Sequence, residues 1–216
     1  MTNHTLPTPS SATGNSTTLE SGPERPSPVR TLIITASTRT GRFGPVPAAW
    51  AAEQAHRRAD LDVETVDLAQ ASLPAVLGEV DARGRPPSAV TEFGRRLDRA
   101  EAVVIVTPVY NRGYPASLKN AIDSFYDEWA RTPVGFVSYG GRTGGIEAVE
   151  QLRPVFTELR TMTIQPVLSF PDYWDSIDPD GDLAPPDSTA LAADRFFDEL
   201  VWWSLAMRVA RAEVPA

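Results

Sequence analysis

The chain has 216 residues and a formal charge of −8, which argues against nucleic acid as its main partner. It has no cysteine, which excludes thiol catalysis, cysteine-ligated zinc and iron–sulfur clusters, and its two histidines leave a serine–histidine–aspartate triad unsupported. No apolar run approaches the roughly 18 residues that a membrane-spanning helix needs, and no leader pattern opens the sequence. The expectation is a soluble, cytoplasmic protein with no membrane partner.

Residues 1–28 are rich in Ser, Thr, Pro, Asn and Gly and lack an apolar period, so they are expected to form a disordered tail. One domain, 29–216, follows. Val29 to Ala36 reads as a first strand, and the polar segment Ser37 to Gly44 leads from it into a helix over Pro45 to Ala59. Proline suits the first helical position, where its missing N–H would have had no partner anyway. Leu61 to Leu68 alternates as a second strand. Ala69 to Pro87 is rich in turn formers, with a short helical turn expected at Leu73–Leu77. Ser88 to Arg99 places Val90, Phe93 and Leu97 on one helical face.

Ala102, Val103, Val104, Ile105 and Val106 form an unbroken apolar run, suited to a strand covered on both sides by helices. It is expected to stop at Thr107-Pro108, because proline has no N–H to give to a ladder. The loop Val109 to Pro115 leads into a helix from about Ser117, with Leu118, Ala121, Ile122 and Phe125 at helical spacing. Thr132 to Tyr139 is a fourth strand and Gly140 to Gly145 its loop. The helix Ile146 to Leu159 contains Pro154, where a kink or break is expected. Met162 to Leu168 is a fifth strand, followed by a long loop, Ser169 to Pro186, bearing Tyr173 and Trp174. A last helix, Asp187 to Ala210, carries Phe196, Phe197, Trp202 and Trp203, read as core or subunit contact.

Alternating strands and helices imply an α/β fold with a parallel sheet between two helical layers. Five strands favour the flavodoxin-like order 2-1-3-4-5, a three-layer sandwich whose ligand crevice opens between strands one and three. The two most motif-rich loops follow those two strands. In the first, Ser37, Thr38 and Thr40 can donate to phosphate oxygens, and Arg39 or Arg42 can neutralise their charge at a helix N-terminus. The alternative is a solvated loop with capping hydroxyls. The second loop offers backbone contacts from Pro108 to Gly113, with Tyr110 and Tyr114 to pack against, a strip suited to a flavin ring. The glycines of the third loop let a backbone approach a planar ring closely. The acidic loop residues fit no EF-hand spacing, so no metal site is expected.

These residues resemble the NAD(P)H-dependent FMN reductases. Ser37-Thr38-Arg39, Thr107-Pro108-Val109-Tyr110-Asn111, Pro115 through Asp123 and Tyr139-Gly140-Gly141 carry the resemblance, which runs from about Thr31 to Leu168. It implies that Ser37, Arg39 and the backbone of Thr40, Gly41, Arg42, Phe43 and Gly44 hold the FMN phosphate. It implies that Pro108, Val109, Tyr110, Asn111 and Gly113 lie along the isoalloxazine, and that Ser138, Tyr139, Gly140 and Gly141 cover its other edge. Ala36 stands where the family usually has glycine, and Val109 where glutamate is common. The implied activity is hydride transfer from NADPH or NADH to bound FMN and on to a small-molecule acceptor, by a ping-pong route in a homodimer or homotetramer. No side chain is expected to act as an acid or base, because the flavin carries the hard chemistry. A flavodoxin-type one-electron carrier and a non-catalytic flavin-binding module are the alternatives.

Overall fold

The computed structural model describes residues 26–214; the expected disordered tail lies, through residue 25, outside the described residues. Five parallel strands form one sheet in the order β2-β1-β3-β4-β5: β1 (Val29–Thr35), β2 (Leu61–Asp67), β3 (Ala102–Pro108), β4 (Val134–Tyr139) and β5 (Thr163–Phe170). Every residue of β3 and β4 is buried, as expected of inner strands in a sheet covered on both faces. The edge strand β2 is less buried: only Leu61 and Val66 are buried, while Asp62 and Thr65 are exposed.

Helices α1 (Pro45–His56) and α6 (Asp187–Glu213) cover one face. There Ile33, Val104, Val106 and Val137 pack on Ala51, Ala55, Phe196, Phe197 and Leu200. Helices α3 (Ser88–Arg99), α4 (Ala116–Asp123) and α5 (Ile146–Glu158) cover the other, where Leu32, Ile34, Ile105 and Phe136 meet Phe93, Leu97, Leu118, Leu152 and Phe156. Because the strands are parallel, the loops after β1, β3 and β4 all emerge at one rim.

Several elements depart from the sequence reading. No helix forms at Leu73–Leu77; the short helix α2 lies at Leu68–Ala71 instead. The Asp67 carboxylate caps it by accepting from the Ala69 amide at 3.0 Å. Strand β3, by contrast, ends at Pro108, within the Thr107-Pro108 pair expected to stop it, and Pro108 pairs with Tyr139, since proline at a strand end withholds no ladder bond that is needed there. Helix α5 continues through Pro154 without a break. The carbonyl that proline deprives of a partner belongs to Glu150, and both residues are exposed, so water can satisfy it. Strand β5 starts at Thr163 and extends to Phe170, with a bulge opposite Gly135 that takes in Pro166. Arg153 donates to the carbonyls of Ile164 and Gln165 in that bulge, at 2.9 and 3.1 Å. Helix α6 runs to Glu213, beyond the Ala210 expected.

At the opposite end of the sheet, Glu101 is buried just ahead of β3. Its carboxylate accepts from Arg208 Nε and Nη2 at 2.7 and 2.8 Å and from the Arg30 amide at 3.2 Å. Arg208 also donates to the carbonyls of Ser27 and Pro28, tying α6 to the chain just before β1.

Candidate functional site

The loop after β1 turns tightly at the head of α1. The Arg42 amide donates to the Arg39 carbonyl at 3.1 Å across Thr40 and Gly41, with Gly41 at a φ of 67°. Ser37 is fully buried, whereas Thr38, Arg39, Thr40 and Gly41 are exposed. Among the described residues, the amides of Thr38, Thr40, Gly41, Phe43 and Gly44 donate to no protein acceptor. The first turn of the 12-residue helix α1 offers no free amide, since Pro45 and Pro47 have none and Val46 donates to the Phe43 carbonyl at 2.9 Å, but the free amides of the loop leading into it make a ready seat for an anion. Of the two arginines proposed to face that anion, Arg39 is exposed and open. Arg42 turns back instead and pairs with Asp67 at the end of β2, leaving its Nε buried without a partner.

The loop after β3 meets the first loop directly. The Tyr110 and Ser37 hydroxyls lie 2.6 Å apart, and the Arg39 guanidinium sits 5.7 Å from the Tyr110 ring centroid. Tyr110 and Gly113 exchange backbone bonds of 2.8 and 2.9 Å around Asn111 and Arg112, whose φ values of 49° and 67° give a mirror-image turn. Gln151 of α5 braces it by donating to the Arg112 carbonyl at 2.7 Å. Ser117, in the first turn of α4, donates to the Ala36 carbonyl at 2.7 Å, a second tie between the two loops. Tyr114, expected to face the ligand alongside Tyr110, packs against the α3–α4–α5 core instead. Lys119 pairs with Asp123, and Asn120 donates to the Pro74 carbonyl at 2.9 Å, so neither is available for chemistry.

The loop after β4 closes the site from the far side. The Val109 amide donates to the Tyr139 carbonyl at 3.2 Å, and Gly140 lies against the Val109 side chain. Gly145, at a φ of 81°, presses so close to β4 that a β-carbon there would stand 2.7 Å from the Tyr139 carbonyl oxygen. Ser138 is fully buried and its hydroxyl has no partner. Tyr139 projects to the opposite face of the sheet, where Phe43 meets it edge-on at 5.5 Å. Phe43 in turn stacks on Tyr173 at 4.0 Å, and Tyr173 meets Trp174 at 5.1 Å. Burial pushes the Tyr139 phenol well above the usual tyrosine range; the nearby Tyr110 and Tyr173 hydroxyls add to this, and Ser37 and Arg42 oppose it.

A family model described as NADPH-dependent FMN reductase matches residues 29–175, the span that contains the sheet and all three loops. The chain belongs to this family. As an NADPH-dependent FMN reductase it is an oxidoreductase that works with FMN and NADH or NADPH. It is 37% identical to an NAD(P)H-dependent FMN reductase of Schizosaccharomyces pombe over 150 residues, 65% of this chain and 72% of that one. A second NAD(P)H-dependent FMN reductase, from Saccharomyces cerevisiae, is 34% identical over 145 residues, covering 61% of this chain and 75% of that one. The solved flavoenzyme NAD(P)H:(acceptor) oxidoreductase of Paracoccus denitrificans superposes with a TM-score of 0.64 at 22% identity. That superposition covers 83% of this reductase and 98% of the Paracoccus chain, and it shows the shared fold.

Three features of this FMN reductase escaped the sequence reading: the Arg42–Asp67 pair, the Phe43–Tyr173 stack and the direction of the Tyr139 side chain. The first had a signal in an aspartate ending the strand beside the first loop, and the third had one in strand alternation, which sends Tyr139 to the face opposite Ser138; the stack had none. The buried side-chain polar atoms that lack partners among the described residues are Arg42 Nε, Ser138 Oγ and the Tyr139 hydroxyl. All three belong to expected site residues. A folded chain leaves few buried polar groups unpaired, so three among neighbouring rim residues are groups that a bound molecule could satisfy.

Proposed function

We propose that FMN binds across the rim above β1, β3 and β4, with its phosphate in loop 36–44 and its ring system along 108–113 and 138–141. The binding unit is residues 29–216. The observation that carries this reading is the 2.6 Å contact between the Ser37 and Tyr110 hydroxyls, which makes the two loops one continuous surface. Ser37, Arg39 and the free amides of 40–44 would hold the phosphate; Pro108, Val109, Tyr110, Asn111, Gly113, Ser138, Gly140 and Gly141 would line the ring. Bound FMN supplies the redox chemistry, accepting hydride from NADPH or NADH and passing electrons to free FMN, a quinone, an azo compound or a similar acceptor in turn, a ping-pong route. The protein's part is to bind, orient and exclude water, and no residue of the rim needs to carry a proton. The exposed Trp174 stands next to Gly141 and is the side chain placed to influence which acceptor fits. A homodimer or homotetramer in the cytoplasm completes the proposal.

The test is the absorption spectrum of the purified chain, followed by anaerobic NADPH titration and an acceptor screen. A yellow protein bleached in one two-electron step, then reoxidised by an added acceptor, is expected. A colourless protein that refuses micromolar FMN would end the proposal, and accumulation of a one-electron form would favour the carrier.

A further inference from the structure

The Tyr139 side chain reaches away from its own loop. Its phenol oxygen lies where it would be 2.8 Å from a β-carbon added at Gly44, the residue immediately ahead of α1. The residue is 3% exposed and its hydroxyl makes no well-formed hydrogen bond; the Ser37 hydroxyl lies near it but is engaged with Tyr110 at 2.6 Å. A donor held without a well-formed bond beside Gly44, whose own amide is free, costs stability unless something arrives to accept from it. We propose that the Tyr139 hydroxyl is a donor to the flavin phosphate, and so a residue that makes this chain prefer FMN to riboflavin. Its backbone stays with the loop after β4 while its side chain serves the loop after β1. This rests on the reading of loop 36–44 as the phosphate seat.

Two further observations support the assignment. The phenol is protonated at physiological pH, as tyrosine ordinarily is and as burial favours further, so it carries no charge to repel a phosphate and has a proton to donate to one. The ring is fixed edge-on against Phe43 and Tyr173, at 5.5 and 5.7 Å, so the hydroxyl is aimed before any ligand binds.

The test is titration of the flavin-free, full-length chain with FMN and with riboflavin, read by quenching of flavin fluorescence, in wild type and Tyr139→Phe. Losing a hydrogen bond to a charged group should raise the Kd for FMN about tenfold or more while the Kd for riboflavin holds. Removing an unpaired buried hydroxyl should leave the melting temperature of the flavin-free variant equal to or above that of wild type. The 31P resonance of bound FMN should shift between the two proteins. Equal weakening of both flavins, or an FMN preference retained in full, overturns the role of Tyr139. A wild type that binds riboflavin as tightly as FMN overturns instead the placing of phosphate in loop 36–44.

Discussion

Replacing Arg208 with methionine should expose how the sheet is locked at the end away from the proposed flavin site. The change removes two charge-assisted bonds, of 2.7 and 2.8 Å, from a carboxylate whose side chain is only 7% exposed. What remains to Glu101 is the Arg30 amide at 3.2 Å and a half-exposed Arg30 guanidinium at 3.4 Å. Stripping one partner from a buried ion pair costs about 3 kcal/mol. In a domain of this size that corresponds to a fall in melting temperature of about 6–12 °C. Burial pushes the Glu101 carboxyl up, but Arg208 and the Arg30 amide more than offset it and hold it below the usual carboxylate range. A group with a depressed value stabilises the fold above its unfolded pKa, and that contribution is lost as pH falls through the folded one. The deficit of Arg208→Met should therefore be largest near neutrality and shrink in acid, where Glu101 is protonated in wild type as well. The double variant Glu101→Leu/Arg208→Met should recover most of the loss, because two apolar side chains strand no charge. Its FMN affinity should match wild type, since the clasp lies at the far end of the sheet. Thermal melts of the three variants between pH 3 and 8 measure this; ~3 and ~8 bracket the carboxylate range and neutrality. An Arg208→Met deficit that persists undiminished in acid would refute the reasoning.

Other outcomes follow from the rim. Arg39→Ala and Tyr110→Ala should each lower flavin occupancy in the purified protein, read as the ratio of flavin to protein absorbance; either variant fully loaded yet slow in NADPH oxidation would contradict the site. Gly145→Ala forces a β-carbon into a left-handed turn and against the Tyr139 backbone, and should destabilise the fold by about 3 kcal/mol, checked by urea unfolding. Trp174→Ala should change the ranking of quinone, azo and flavin acceptors in steady-state assays while FMN affinity holds, because the side chain is 55% exposed beside Gly141 and outside the seat proposed for the phosphate.

The sheet was legible from residue patterns because each strand's burial is written in its own neighbours. The unbroken run at Ala102–Val106 suits the centre of a sheet, and the interspersed Asp62, Glu64, Thr65 and Asp67 of Leu61–Asp67 suit a partly exposed edge. The three loops were legible because turn formers cluster where strands end. Local rules failed where a distant group decides the outcome. Asp67 captures the Ala69 amide and so places the helix at Leu68–Ala71. Pro154 leaves an orphan carbonyl that an exposed position forgives. The Arg42 pairing joins residues 25 apart in sequence, and the Ser37–Tyr110 contact joins residues 73 apart. Strand alternation tells which face Tyr139 joins, but not that its ring spans the distance to α1.

The closeness of Tyr139 to Gly44 ties together two places that lie in different motifs. A side chain at 44 has room only if the residue at 139 is shorter, and a long phenol at 139 demands a bare backbone at 44. The dependence runs one way: glycine at 44 accommodates any shorter residue at 139, whereas a side chain at 44 must wait for Tyr139 to shorten, so across a lineage change at 139 should precede change at 44, and a library randomising 44 alone should return almost nothing but glycine.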